Sequence, residues 1–567
     1  MRTWLFAVLL VGACTGDPGP TGPMGPPGPM GEAGLPGPPG PQRDGGPSGE
    51  AGLPGVEDGG AVVVDALVDG APPAPDAEGG DRCPPREGPA GLGGVVDSVV
   101  NLETAARWLA FRRAREQERM WEAYDPPAVA ARYRIEQEVL DAGCLTLAEV
   151  VDLGRGIFLR TFSRTEGYGN GLGPDGTSTR SRFQRGHFGG PDAAGCTDCH
   201  WKGGFAGAGD RADNAFMFGD GRRLATHDVR NPPPLWGLGW VELIGREMTD
   251  ALQRQAHEAL AEARASGAPV EVRLEAKGVD FGILVADGDG LDTARVYGVD
   301  PDLVVKPFGW KGVFATLREF LGHSLQLHCG LQAEEIVAQP GELSLGDGPA
   351  DDPDGDGVER EITEGQLTAL VTFIATLDHP TLMVPNEGLY QDPETLDPPV
   401  LVEAPEFTVR WLDGAARFSA LGCDTCHVPF LTVSDPVYRT ETVSGSIYTV
   451  NLAEESAEPR PEQENGRWVV PVFSDFRRHD LGMGLAGHHG ERGVEPERYL
   501  TRRLAGIGQT SPYLHDGSAV TFDEAVARHG GEAAASAQAY ADLDPPGQSA
   551  IRVFLASLRR ASAIRVR

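Results

Sequence analysis

Cys196, Cys199 and His200 stand as Cys-x-x-Cys-His within "AAGCTDCHWKGG" (193–204). Two thiols at that spacing with an imidazole directly after them can be half of a zinc site, a redox dithiol or a haem attachment point. A second copy, Cys423, Cys426 and His427 in "LGCDTCHVPF", lies far downstream. With 8 Cys and 13 His in 567 residues, one such string arises by chance roughly 0.003 times, so two copies are not an accident. Zinc ribbons keep their two halves close in sequence, and a redox dithiol has no need of a His after its second Cys. Haem c attachment uses all three groups: the thiols form thioethers and the His becomes the proximal iron ligand. The expected cofactors are therefore two covalently bound haem c groups.

Other side chains offer ligand or thiol chemistry. Asp352, Asp354, Asp356 and Gly357 open like an EF-hand loop, with oxygen donors at alternate positions and Gly for the turn. The twelfth position should be Glu and is Thr363, so Glu361 or Glu364 would have to complete a calcium site; the alternative is a solvated acidic turn. His323 and His328 lie five apart on one helical patch, a spacing that shares a helix face poorly. They read as structural or haem-edge contacts. Of Cys83, Cys144 and Cys329, two are expected to pair and one to be left over.

The chain that must hold these residues is long enough for about two to four domains. Asp and Glu number 83 against 49 Lys and Arg, a formal net charge of −34. Nucleic acid is set aside as a partner, because phosphate binding needs the opposite sign; a basic or neutral electron-donor protein, or a small redox donor, fits. The opening "MRTWLFAVLLVGACTGD" has a basic Arg2 and an apolar run from Trp4 to Ala13. That run is too short for the ~20 residues that span a bilayer and reads as a signal peptide, hence export, where disulfides and covalent haem are permitted. Val11, Gly12 and Ala13 before Cys14 resemble a bacterial lipobox, which implies a lipid on Cys14 and attachment to the cell envelope; the alternative is cleavage nearby with an unmodified Cys14.

Gly then recurs at every third position from Gly16 to Gly40, breaks at Arg43 and resumes from Gly46 to Gly55. This collagen-like period suits either a trimerising stalk or an extended spacer, and residues 61–90 continue as linker. Helical periodicity marks 95–124, 241–266, 312–333, 364–377, 406–421, 522–528 and 548–558, with Gly- and Pro-rich loops between them. Few alternating strand patterns appear. The expected fold is mostly α: two cytochrome c-like haem domains with long loops, preceded by a collagen-like or disordered N-terminal segment. The expected boundaries are a signal peptide at 1–13, a collagen-like stalk or spacer at 14–60, a linker at 61–90, an N-terminal haem domain with the inserted acidic loop at 91–400, and a C-terminal haem domain at 401–567.

The order of the further motifs resembles the di-haem cytochrome c peroxidase superfamily, and within it the di-haem (thiol) oxidoreductases. The residues that carry the resemblance are "NPPPLWGLGWVELI" (231–244), "VVKPFGWKGVFATLREF" (304–320), "DPDGDGVEREIT" (352–363), "FSDFRRHDLGMGLA" (473–486) and "TSPYLHDGSAVTFDEAVARHGGEA" (510–533). The resemblance implies that the sixth ligand of the C-terminal haem lies on the short helix after His-Asp-Gly. That place is His529 here, where peroxidases usually carry Met, so the pair would be His427 and His529, with a lower potential than a thioether gives; the alternative is a His capping the helix end before Gly530 and Gly531. For the N-terminal haem it points to His227, with Met217 or an open position as alternatives. It makes His479 and His515 pocket residues, against a reading as loop braces. Glu242, after the Pro-rich loop, would be the acid that moves a proton, against a solvated residue in a helix's first turn. Trp236 or Trp240 would bridge the haems, against a packed loop anchor.

The expected function is thus an exported, lipid-anchored di-haem oxidoreductase that reduces a peroxide-type substrate with electrons relayed between two haems. The rivals are a non-catalytic electron-transfer cytochrome and a thiol oxidoreductase.

Overall fold

The computed structural model describes residues 133–560 except 170–182, 185–186, 189–191, 219–222, 340–347, 381–388 and 392–400. The signal peptide, the collagen-like repeat, the linker and the helical patch at 95–124 lie outside the described residues.

Two helix pairs frame the two Cys-x-x-Cys-His turns. The helices that matter here are α1 (Leu147–Leu159), α2 (Leu238–Ser266), α3 (Leu317–Ser324), α4 (Glu364–Ala375), α5 (Ala404–Ala420), α6 (Phe522–Ala527) and α7 (Pro545–Ser557). In the first pair α1 crosses α4, and in the second α5 crosses α7. A glycine makes each crossing close. A Cβ on Gly154 of α1 would sit 2.0 Å from the Ala369 carbonyl oxygen, and one on Gly414 of α5 would sit 2.0 Å from that of Ala550. The partner helices read "TALVTFIATL" (368–377) and "SAIRVFLASL" (549–558), with Phe373 and Phe554 one turn beyond the contact. The chain therefore carries one helix–helix unit twice. Caps fix where these helices start. Thr146 and Glu149 form a capping box on α1, Thr363 and Gln366 on α4, and Thr521 and Glu524 on α6.

The expectation of a mostly α fold is corrected. Helix makes up 39% and strand 18% of the interpretable chain, and the strands form several small antiparallel sheets. Short ribbons include β1 (Ala215–Met217) with β2 (Asp228–Arg230). The largest insertion is β3 (Val270–Ala276), β4 (Val279–Ala286) and β5 (Leu291–Val296), paired in the order β3-β4-β5. Farther on, β6 (Arg478–Asp480) pairs with β7 (Arg498–Leu500). The three-stranded sheet covers α2 through Leu274, Phe281 and Leu284, all fully buried. Its alternation was there to be read: β4 buries Val279, Phe281, Leu284 and Ala286, and Lys277–Gly278, both at positive φ, make the tight turn before it. Charged residues on the solvent face of β3 and β5 blur that period.

The single helix expected over 312–333 is also corrected. Phe308 and Phe314 form a bridge, α3 covers only eight residues, and the chain then winds into a π turn, Leu325–Cys329, ended by Gly330 at φ +84°. Among the described residues, no helix is long and apolar enough to cross a membrane.

Candidate functional site

Cys196 and Cys199 open and close one short 3-10 turn, and Cys423 and Cys426 another. Each turn lines its own cavity, of about 1190 Å³ for the first and about 1570 Å³ for the second, both opening to solvent.

The histidines are set alike. His200 donates through Nδ1 to the Gly207 carbonyl at 3.1 Å, and His427 donates through Nδ1 to the Phe473 carbonyl at 3.1 Å. A carbonyl can only accept, so Nδ1 carries the proton and Nε2 is the atom left for a metal, the usual arrangement behind a metal-bound imidazole. Burial pushes both rings down to about 4, so each is neutral, as a ligand must be. Burial also pushes the Cys196 and Cys423 thiols up to about 12. A redox dithiol needs the opposite shift. Among the described residues, no third or fourth ligand gathers around Cys196 and Cys199 to hold a shared ion. The donor sets thus fit covalent haem, neither fits a dithiol, and the first does not fit zinc.

In the second cavity the structure brings together Cys423, Cys426, His427, His479 and His529. His529 follows α6 and donates through Nδ1 to the Ala525 carbonyl at 2.8 Å, which again leaves Nε2. Its ring acts electrostatically on His427, and burial lowers its own pKa. His479 is gripped on both sides, through Nε2 by Asp475 at 2.9 Å and through Nδ1 by Glu532 at 2.7 Å. Burial opposes its charge, but the Asp475 bond and the nearby Cys426 sulfur raise it to about 10. Cys426, Asp475 and His479 are also close enough to share an ion, although a thioether at Cys426 would end that.

His515 is not part of either lining. It stacks on Tyr499 at 4.5 Å, meets the Trp310 ring edge-on at 6.4 Å, and takes the Asn231 amide on its carbonyl at 2.6 Å. Burial pushes it down to about 4.

In the first cavity Cys196, Cys199 and His200 meet Met217, His323 and His328. His227 does not line it. That residue is buried, with Nδ1 on the Arg223 carbonyl at 2.9 Å. The two histidines judged to share a face poorly do share this one, because the π turn carries an extra residue per turn and brings a spacing of five into line. His328 donates through Nδ1 to Asp192 at 2.8 Å, which leaves Nε2 as its second nitrogen. Cys329 lies beside it as a buried, free thiol, and burial holds its pKa well above the ordinary range. Cys144 is disulfide-bonded, to a partner outside the described residues.

Glu242 lies outside both cavities. Fully buried, it accepts from the Leu317 amide at 2.7 Å, from the Tyr438 hydroxyl at 2.9 Å and from Arg246. It ties the start of α2 to the start of α3, and desolvation raises its pKa. Trp236 and Trp240 are equally remote from the linings. Trp236 donates to the Phe205 carbonyl at 2.7 Å, and Trp240 packs on Trp468. The tryptophan between the cavities is Trp310, which lines both together with Asn231 and donates to the Asn231 carbonyl at 2.9 Å.

The acidic loop is closed on itself. Asp352 accepts the amides of Gly355, Asp356 and Gly357, and Asp356 accepts that of Val358. Asp352, Asp354 and Asp356 come within 4.8 Å of one another. The residues that should complete the shell are engaged elsewhere: Thr363 caps α4, Glu361 takes the Gln332 amide and Glu364 holds Ser444.

Sequence reasoning missed Trp310, the His328–Asp192 pair, Tyr499 and Arg502. Trp310 sits inside the "FGWKG" stretch, where it was passed over for the more conspicuous Pro-rich loop. The π turn that aims His328 has no periodic signature.

Residues 388–558 match the family model described as "Di-haem oxidoreductase, putative peroxidase". No curated protein matches the chain at a significant level.

Proposed function

We propose, because residues 388–558 match the model of the di-haem oxidoreductases, that the protein carries two covalent c-type haems and reduces hydrogen peroxide to water. Cys196, Cys199 and His200 would hold one haem, and Cys423, Cys426 and His427 the other. Each haem, when bound, supplies an iron that takes up and gives back single electrons. Peroxide needs two electrons and two protons to become two water molecules, so the chain must store and relay charge between two places. The observation that carries this reading is the shared wall: Trp310 and Asn231 line both cavities.

The two cavities differ in a way that assigns roles. In the second, His529 stands with His427 and closes the site, which suits a relay. In the first, His328 is aligned by Asp192 and supports proton transfer to an oxygen of the substrate, as general acid–base work requires. Met217 and His323 also line that cavity, and an open sixth position there would admit peroxide. The test is consumption of hydrogen peroxide coupled to oxidation of a reduced small donor. One peroxide lost per two electrons is the expected result, and donor oxidation without peroxide loss would leave only an electron-transfer role.

His529→Ala is expected to convert the second haem from low spin to high spin while the first haem's spectrum stays. An unchanged near-infrared spectrum would remove His529 from the ligand pair.

Export and a lipid on Cys14 are part of the same proposal, supported by Arg2, the apolar run and Val11–Ala13. The Cys14→Ser protein is expected in the soluble fraction; if it stays with membranes, the anchor lies elsewhere.

A further inference from the structure

The wall of the second cavity carries a charge that no carboxylate answers among the described residues. Arg502 lines that cavity, partly exposed, with its guanidinium 4.8 Å over the Trp310 ring. Among the described residues no carboxylate pairs with it, and none of its hydrogen-bond donors has an acceptor. A guanidinium has five N–H donors and cannot shed its charge, so one left half-buried without a partner costs free energy. Scarcity of acid is no explanation in a chain with 83 Asp and Glu.

Its neighbours are spoken for. Arg503 donates to the carbonyls of Trp236 at 2.6 Å and Pro234 at 2.9 Å. Lys311 is buried, donates to the carbonyls of Glu495, Pro496 and Arg498, and lies 3.6 Å over the Tyr499 ring. Tyr499 supplies a second, independent sign. It lines the same cavity, is 3% exposed, and its hydroxyl is buried with no partner. An unanswered cation and an unanswered hydroxyl donor on one cavity wall describe a place for an oxyanion.

We propose that Arg502, with the Tyr499 hydroxyl as second donor, binds a carboxylate of the group that fills this cavity. This rests on the di-haem reading above: the carboxylate is then a propionate of the haem held by Cys423, Cys426 and His427. Because Arg502 also covers Trp310, which lines both cavities, one guanidinium would set the charge around both centres.

The test uses the full-length protein with both haems loaded, and reads the midpoint potential of each haem by spectroelectrochemistry. Loss of a nearby positive charge favours the ferric form. Arg502→Gln is therefore expected to make one-electron reduction of the second haem at least tenfold less favourable, a fall of about 59 mV. The first haem should shift in the same direction by less, Tyr499→Phe should shift the second haem by less than Arg502→Gln, and Arg502→Lys should stay near the unaltered protein. Unchanged potentials in Arg502→Gln, or a shift confined to the first haem, would overturn the assignment. A Gln protein that loads only the first haem supports it provided Arg502→Lys loads both; loss of the second haem from both variants counts against it. If the unaltered protein lacks two covalent haems, the di-haem reading fails instead, which separates the two failures.

Discussion

Changing Cys423 and Cys426 together to Ala is expected to remove one of two covalent haems and, with it, all donor-driven turnover. Without thiols there is no thioether, and His427 and His529 alone would hold the group only by exchangeable bonds to iron. Haem counted on the denatured, solvent-extracted protein should fall from two per chain to one. The first haem should keep its spectrum, because its Cys, His and Met side chains line a separate cavity. The apolar second cavity would stand unfilled, so the melting temperature should fall as well. Two haems still covalent after the change would mean that these cysteines do not hold the cofactor.

The second large effect is expected at His328. Its Nδ1 is fixed by Asp192, the arrangement that orients a catalytic imidazole. His328→Ala should lower kcat/KM for peroxide by about 10²–10⁴-fold, the usual worth of a positioned acid–base group. Asp192→Asn should cost less, since the ring stays in place. Haem content and the spectrum of the second centre should not move, and added imidazole should restore part of the rate. Activity that survives His328→Ala would assign the proton transfer to another group in that cavity.

The two Cys-x-x-Cys-His turns were legible because their spacing needs no fold to be recognised. The internal repeat was also in plain view, in "TALVTFIATL" and "SAIRVFLASL", but its meaning lies in Gly154 and Gly414, whose role shows only when the helices cross. The residues between the cavities could not be read this way. Trp310, the 499–502 stretch and His515 come from three separate stretches, and only tertiary packing stacks Tyr499 on His515, sets His515 edge-on to Trp310 and lays Arg502 over Trp310. Glu242 misled for the opposite reason. Its position after the Pro-rich loop suggested a pocket acid, whereas three donors hold it in the core. The three-stranded sheet was hidden because its outer strands carry charges on the side facing water.

The central claim is that one chain holds two unlike haems, one closed by two histidines and one open to substrate. Electron paramagnetic resonance of the oxidised and half-reduced protein tests it most directly. The account predicts two haems in equal amounts: a low-spin signal of bis-histidine type that disappears in His529→Ala, and a high-spin signal from the centre at His200 at one of the two oxidation levels. Two low-spin signals at both levels, or a single haem, would contradict it.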